Sequence, residues 1–221
     1  ADGIILFSHR LPFKVDSDKP VADQIPPLVN SCELVGVDGL PVVTIDNEVA
    51  ARDATEHLLG LGHQAIAVIT GDMESPSSQS RLKGFRQAMA EAGLAVDESL
   101  IVSGGYSVDG GVAATAEILM QKERPTAIFC FGDEMALSCM STLRERGFSV
   151  PGDISVIGFD DIHFAKYLSP SLTTIAQPTE AIGSTCANLL LDLIDGKTPE
   201  KSQHIMPHEL IVRESTGPVA S

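Results

Sequence analysis

Apolar and polar positions alternate in blocks along this chain. Short runs that are apolar throughout are followed by longer stretches in which apolar residues return every three or four positions. The short runs read as strands buried on both faces, and the longer stretches as amphipathic helices. Ile4–Phe7 is the first strand. Leu28-Val-Asn-Ser31 and Val42-Val-Thr-Ile45 are two short extended segments, each led in by proline (Pro26-Pro27 and Pro41). Between the first two lies an irregular polar stretch through Pro20. Asp46-Asn47 can cap a helix over 48–60, whose apolar positions Ala51, Ala54, Leu58 and Leu61 repeat at helical spacing, with Gly60 and Gly62 punctuating its end.

From Ala65 the alternation is strict. Strands at Ala65–Thr70, Leu100–Val102, Ala127–Phe131 and Ile154–Phe159 are separated by helices with stripes at Leu82/Phe85/Met89, Val112/Ala116/Leu119 and Ala136/Met140/Leu143. Leu172–Ile175 is a further extended piece, Ile182/Cys186/Leu189/Leu193 a well-spaced helix, and Leu210-Ile-Val212 a last strand. Strands alternating with helices of this length predict βαβ units and a parallel sheet, hence an α/β fold.

With 221 residues, 43% of them hydrophobic and 20% charged, the chain can build one large domain or two lobes with real cores. The formal charge of −15, from 15 Lys+Arg against 30 Asp+Glu, leaves no basic face for gripping a phosphate backbone. No apolar run approaches a membrane span, so no membrane partner is expected. Cys32, Cys130, Cys139 and Cys186 lie far apart without Cys-x-x-Cys spacing and read as reduced thiols of a cytoplasmic protein. The chain opens abruptly on the core-like run Asp2–Phe7, which predicts further chain ahead of residue 1.

No phosphate-cradling loop, dinucleotide fingerprint or nucleophile elbow is present, and Gly104-Gly105 with Gly110-Gly111 has the wrong spacing for one. The six histidines show no metal-ligand spacing, and a surface or turn role is expected of each; no metal and no cofactor are expected. What remains is a set of polar and aromatic residues beyond strand C-terminal ends: Ser75, Ser77 and Arg81, Tyr106, Asp133, and Asp160-Asp161. Open α/β sheets bind ligands there. Arg offers a fork of donors, Asp a fork of acceptors and Tyr a flat apolar face, a combination suited to a hydroxyl-rich ring such as a sugar or nucleoside. None is positioned as a nucleophile with its base, which favours binding over catalysis. Asp161 is read as a turn or cap residue. Arg81 lies off the apolar stripe of its helix, with a solvated surface arginine as the competing reading.

Several motifs in order, Asp46-Asn47, Gly60-Leu-Gly-His63, Arg81-Leu-Lys-Gly-Phe85, Gly132-Asp-Glu-Met-Ala136, Pro151-Gly-Asp-Ile-Ser-Val-Ile-Gly-Phe-Asp-Asp161 and Leu172-Thr-Thr-Ile-Ala-Gln-Pro178, resemble the effector-binding core of the lactose/galactose-repressor family of bacterial transcription regulators. The resemblance covers essentially the whole chain, with a flavour of the purine- and cytidine-repressor branch. It implies a periplasmic-binding-protein-like fold of two Rossmann-like lobes with parallel sheets joined by three crossovers. Residues 1–46 plus 178–198 would form the first lobe, incomplete at its N-terminus, and 47–177 plus 199–221 the second. It further implies that Arg81 reaches the effector, Tyr106 stacks on it and Asp160 hydrogen-bonds it, with Ser75, Ser77 and Gln177 lining the pocket. Gly132 stands where sugar-binding members often carry Asn, which weakens the case for a simple sugar.

The reading that follows is the ligand-sensing core of a homodimeric repressor. It binds a small sugar or nucleoside-like effector between its lobes and meets operator DNA only through a helix-turn-helix headpiece that this chain lacks. A periplasmic sugar-binding protein of a transport system is the alternative, and an enzyme using paired carboxylates a third.

Overall fold

The structure is a computed structural model that describes residues 2–16, 18, 24–33, 39–199 and 201–219. Part of the irregular stretch expected through Pro20 therefore lies outside the described residues. The chain divides into two compact units. The first holds 1–46, 74–77 and 178–208, the second 47–73, 78–177 and 209–221.

The first unit is built on a four-stranded parallel sheet of β1 (Ile4–Leu6), β2 (Leu28–Ser31), β3 (Val42–Ile45) and β9 (Gln203–Met206), in the order β1-β2-β3-β9. Helix α5 (Thr179–Ile194) packs on it, burying Ile182, Cys186 and Leu189 against β2 and β3. Gly3 lies so close beneath α5 that a Cβ there would come within 2.7 Å of the Leu190 side chain. Strand β9 was not apparent in sequence, because Gln203-His-Ile-Met206 has too little apolar character; its register against β3 (Val43 beside His204) places it in this sheet. Residues 201–208 thus group with the first unit, where the sequence expects 199–221 wholly in the second.

The second unit carries a six-stranded sheet in the order β10-β8-β7-β6-β4-β5: β4 (Ile66–Thr70), β5 (Ile101–Ser103), β6 (Ala127–Cys130), β7 (Ser155–Asp160), β8 (Thr173–Ala176) and β10 (Glu209–Ile211). All pairings are parallel except β10 with β8. The four central strands are almost wholly buried, as their largely apolar runs require. Helices α3 (Val108–Ile118) and α4 (Asp133–Glu145) pack on each other and on the sheet. Helix α1 (Asn47–Gly60) lies against β6, β8 and β10. It meets α2 (Pro76–Glu91) so closely that a Cβ on Gly84 would fall 2.0 Å from the Glu48 carbonyl oxygen. Phe85, Phe129, Phe131, Phe159 and Met135 fill the core, with Phe129 and Phe131 edge to face at 5.1 Å.

Two local readings differ from the sequence. The buried face of α3 is Gly111, Ala114, Thr115 and Ile118, not Val112/Ala116/Leu119; Val112 points outward. Gly111 packs against α4, where a Cβ would meet the Ser138 hydroxyl at 2.1 Å, so close helix approach rather than apolar bulk selects the inner face. His63 is buried rather than superficial. Its ring bridges Thr126 Oγ1 and the Gly217 carbonyl, fastening the C-terminal tail to the sheet.

Candidate functional site

Strand order in the second sheet reverses between β4 and β6. The chain moves outward from β4 to β5, then returns to β6 on the other side and continues to β7 and β8. Loops beyond the C-terminal ends of strands diverge at such a point and leave a crevice. Arg81, Tyr106, Gly132 and Asp160 gather there.

Tyr106 follows β5 in a tight turn in which Gly105 and Tyr106 both take positive φ, 58° and 55°. That turn lays the ring over Gly71, just beyond β4, where a Cβ would come within 2.0 Å of Tyr106 Cε2. The phenol oxygen is 2.7 Å from Ser78 Oγ. Gly104, Gly110 and Gly111 thus serve close packing, and Gly105 the positive φ of the turn: a Cβ on Gly110 would fall 1.8 Å from the Gly104 carbonyl oxygen.

Arg81 is only 5% exposed, so it is a buried cation rather than a solvated one. Its guanidinium lies over the Phe159 ring, 3.5 Å from the centroid, and 6.0 Å from that of Tyr106. Nε donates to Asn47 Oδ1 at 2.8 Å and Nη1 to the Phe131 carbonyl. These two acceptors are neutral and use two of the five N–H donors. Among the described residues no carboxylate ion-pairs with it directly. Its hydrogen bonds thus go to neutral groups alone, and the anion whose field it feels is the Asp160 carboxylate.

Asp160 ends β7. Its Oδ1 accepts from Gln177 Nε2 at 2.6 Å, while Oδ2 takes no hydrogen bond among the described residues. Burial raises the proton affinity of this carboxyl, with the Arg81 charge and the Gln177 hydrogen bond acting the other way. Tyr106 and Asp160 converge on Gly132: a Cβ there would sit 3.4 Å from Tyr106 Cδ1 and 3.7 Å from Asp160 Oδ2. The group therefore offers a ring face, a cation with unspent donors and a carboxylate oxygen with unspent lone pairs, the elements expected for a hydroxyl-bearing ring.

Asp133, the first residue of α4, is fully buried beneath this group. It accepts from Thr174 Oγ1 at 2.6 Å and from the Ile162 amide at 2.9 Å. Burial above all, together with the Asp160 and Asp161 carboxylates, pushes its pKa up to about 7. Asp161 is at a turn, as expected, but its carboxylate is fixed by an ion pair with Arg213 Nη2 at 2.7 Å.

Ser75 and Ser77 belong to the first unit. Both hydroxyls donate to Glu33 Oε1, at 2.8 and 2.6 Å. The same unit buries Asn30 at the end of β2 with neither side-chain amide atom hydrogen-bonded among the described residues. Sequence reading passed over Asn30 because it lies within an apolar run. It passed over Asn47 as a helix cap and over Phe159 as core. The single signal for Asn30 was an uncompensated amide inside a buried strand.

The sequence matches the periplasmic binding protein-like domain over residues 55–216. It is 40% identical over 217 residues to the HTH-type transcriptional repressor CytR of Escherichia coli K12, covering 97% of this chain and 62% of the relative. It is 45% identical over 172 residues to the HTH-type transcriptional repressor PurR of Vibrio campbellii, covering 77% and 52%. Among solved structures, a LacI family transcriptional regulator from Enterococcus faecium with bound ribose superimposes with a TM-score of 0.87 at 32% identity, covering 99% of this chain and 81% of that one. The transcriptional regulator CelR in complex with cellobiose gives 0.86 at 36%, covering 97% and 65%. The chain belongs to the LacI family of transcriptional regulators, whose effector-binding core it matches. It spans less than two thirds of the length of the curated relatives it matches.

Proposed function

We propose that this chain is the effector-sensing part of a cytoplasmic transcriptional repressor. A small sugar or nucleoside binds with its ring against Tyr106, its hydroxyls to Arg81 and Asp160, and Gln177 orienting the Asp160 carboxylate. The observation that carries this reading is the buried guanidinium with unspent donors beside a carboxylate oxygen with unspent lone pairs, at the reversal point of a parallel sheet. The names of the relatives, repressors and regulators rather than transport proteins, support sensing over transport. With a net charge of −15, this chain is assigned the effector and not the operator, which a helix-turn-helix segment of the kind named for the relatives would bind. Effector and operator would be linked through the population of two conformations.

A second copy is proposed as the other partner. The outer face of α4 forms a groove of about 530 Å³ lined by Leu137, Met140, Phe148 and Leu168. Phe164 and Tyr167, each 66% exposed, precede its Leu168 wall, and α3, packed on α4, exposes Val108 and Val112. Leu137→Glu should shift the sedimentation coefficient toward monomer.

The test of the site is a thermal-shift screen with ribose, cellobiose, cytidine, adenosine and guanine. A ligand at 100 times its Kd adds about 2.7 kcal/mol of stability. For any hit, Asp160→Asn and Arg81→Ala should each weaken binding roughly 10- to 150-fold, the loss of one charge-assisted hydrogen bond. Unchanged affinity in both variants would place the pocket elsewhere.

A further inference from the structure

We propose that Asp133 is a positioning residue for Asp160: its carboxylate fixes the left-handed turn at Asp160–Asp161, so that the geometry of the site follows the charge of a fully buried side chain. The proposal rests on the reading of Asp160 as a ligand contact.

Asp161 takes a left-handed φ of 53°, which Asp tolerates better than most residues, but Asp160 takes φ of 117°, which an L residue seldom adopts unless its surroundings hold it there. Asp160 is not glycine, so its backbone needs a constraint from outside the turn. Asp133 supplies it on both sides. Its Oδ2 accepts the amide of Ile162, the first residue after the turn. Its Oδ1 accepts Thr174 Oγ1, which in turn receives the Asp161 amide at 3.4 Å. Thr174 lies beside Gly158 in the β7–β8 register, so the anchor is tied to the strand that delivers Asp160.

The charged groups around Asp133 come from several elements. Asp160 and Asp161 act on it from the end of β7, both favouring the proton, and the Cys130 thiol of β6 feels its field. Arg213, from the tail, is paired with Asp161. Arg81 of α2 and Glu134 of α4 act on Asp160. Burial, then the Asp160 and Asp161 charges, bring Asp133 into titration at about pH 7, against its own two hydrogen bonds. As a carboxylate it accepts both hydrogen bonds strongly. Once protonated it holds the Ile162 amide with a neutral oxygen, and the Thr174 hydroxyl must share or reverse its role. The turn then loses its strongest external constraint while Asp160 keeps its own partners.

The test needs no ligand. Carbon-13 signals of the Asp160 carboxyl and amide exchange of Ile162, corrected for intrinsic pH dependence, are followed by NMR between about pH 5 and 8. The wild-type Asp160 signal should inflect near pH 7, with Ile162 better protected on the alkaline side. Asp133→Asn should abolish the inflection and speed Ile162 exchange about tenfold at the alkaline end. Thr174→Val, which removes one donor but leaves the carboxylate, should move the inflection to higher pH. An inflection that persists in Asp133→Asn, or Ile162 protection that ignores the substitution, would overturn the proposal. If Asp133→Asn does not fold, an unmoved inflection in Thr174→Val does so. Because the affinity of Asp160→Asn for a ligand found in the thermal-shift screen tests the effector reading separately, the two can fail independently.

Discussion

The Oδ1 atom of Asp133 lies 2.1 Å from where a Cβ on Gly158 would be. Glycine in the middle of a buried strand gives up side-chain packing and backbone entropy. Here it makes room for a carboxylate, with Leu172 and Ala136 closing the remaining space at 3.0 and 3.3 Å. The Ile-Gly-Phe-Asp-Asp run at the end of β7 is thus a strand hollowed at one position so that the residue opening α4 can reach under it.

Gly158→Ala should therefore destabilise the second unit. The carboxylate is held by Thr174 and the Ile162 amide and cannot swing away without breaking one of them. Overpacking of this kind costs about 1–3 kcal/mol. The urea midpoint should fall with its m-value unchanged, and a midpoint equal to wild type would show that Asp133 moves freely.

Asp133 should make stability fall as pH rises. Its folded pKa, about 7, is above the model-peptide value of 3.8, so the folded state holds the proton across that window while the unfolded chain releases it. The contribution is complete below about pH 4 and is lost as pH climbs through 7, by at most about 4 kcal/mol. Denaturant midpoints of wild type and Asp133→Asn, compared across pH 4 to 8, should differ in slope; parallel curves would rule the effect out.

The two histidines at the tail act with the opposite sign. Burial lowers the pKa of His63, against a raising hydrogen bond to the Gly217 carbonyl. Burial, then the charge of His63, lowers that of His57, which contacts Thr216 Oγ1 at 2.9 Å. Each contributes stability that is present above the ordinary histidine value of about 6.5 and is lost as pH falls through its depressed folded value. Acidification should release residues 213–219 first, seen as faster amide exchange at Gly217 and Val219. His63→Gln should show that release at every pH, and a tail whose exchange ignores pH in wild type would contradict the assignment.

Gly132→Asn should fold normally, because φ at 132 is −167° and a Cβ there meets ordinary contacts with Tyr106, Met135 and Asp160. It would set a polar group between the ring and the carboxylate and favour hydroxyl-rich sugars over flat bases. Calorimetry of ribose against cytidine should show their affinity ratio move toward ribose by roughly tenfold, the value of one neutral hydrogen bond. An unchanged ratio would mean that residue 132 does not face the ligand.

The alternation of fully apolar runs with three-to-four-residue periodicity determined the α/β class, the parallel sheet and nearly every element, because burial on one or two faces imposes its period locally. Several distinct motifs in order carried the family, and the strand-end rule drew attention to Arg81, Tyr106, Asp133 and Asp160. Tertiary structure alone decided that α3 turns Gly111 and Ala114 inward, that β9 joins the first sheet, that His63 is buried, and that Arg81 lies over Phe159. It also decided that Asp133 is buried and accepts from the Ile162 amide and Thr174 Oγ1 rather than facing outward. These outcomes depend on partners distant in sequence, Arg81 with Phe131 and Asp133 with Thr174 among them. Strand register and close approach at glycine set those distances, and local periodicity carries no record of either.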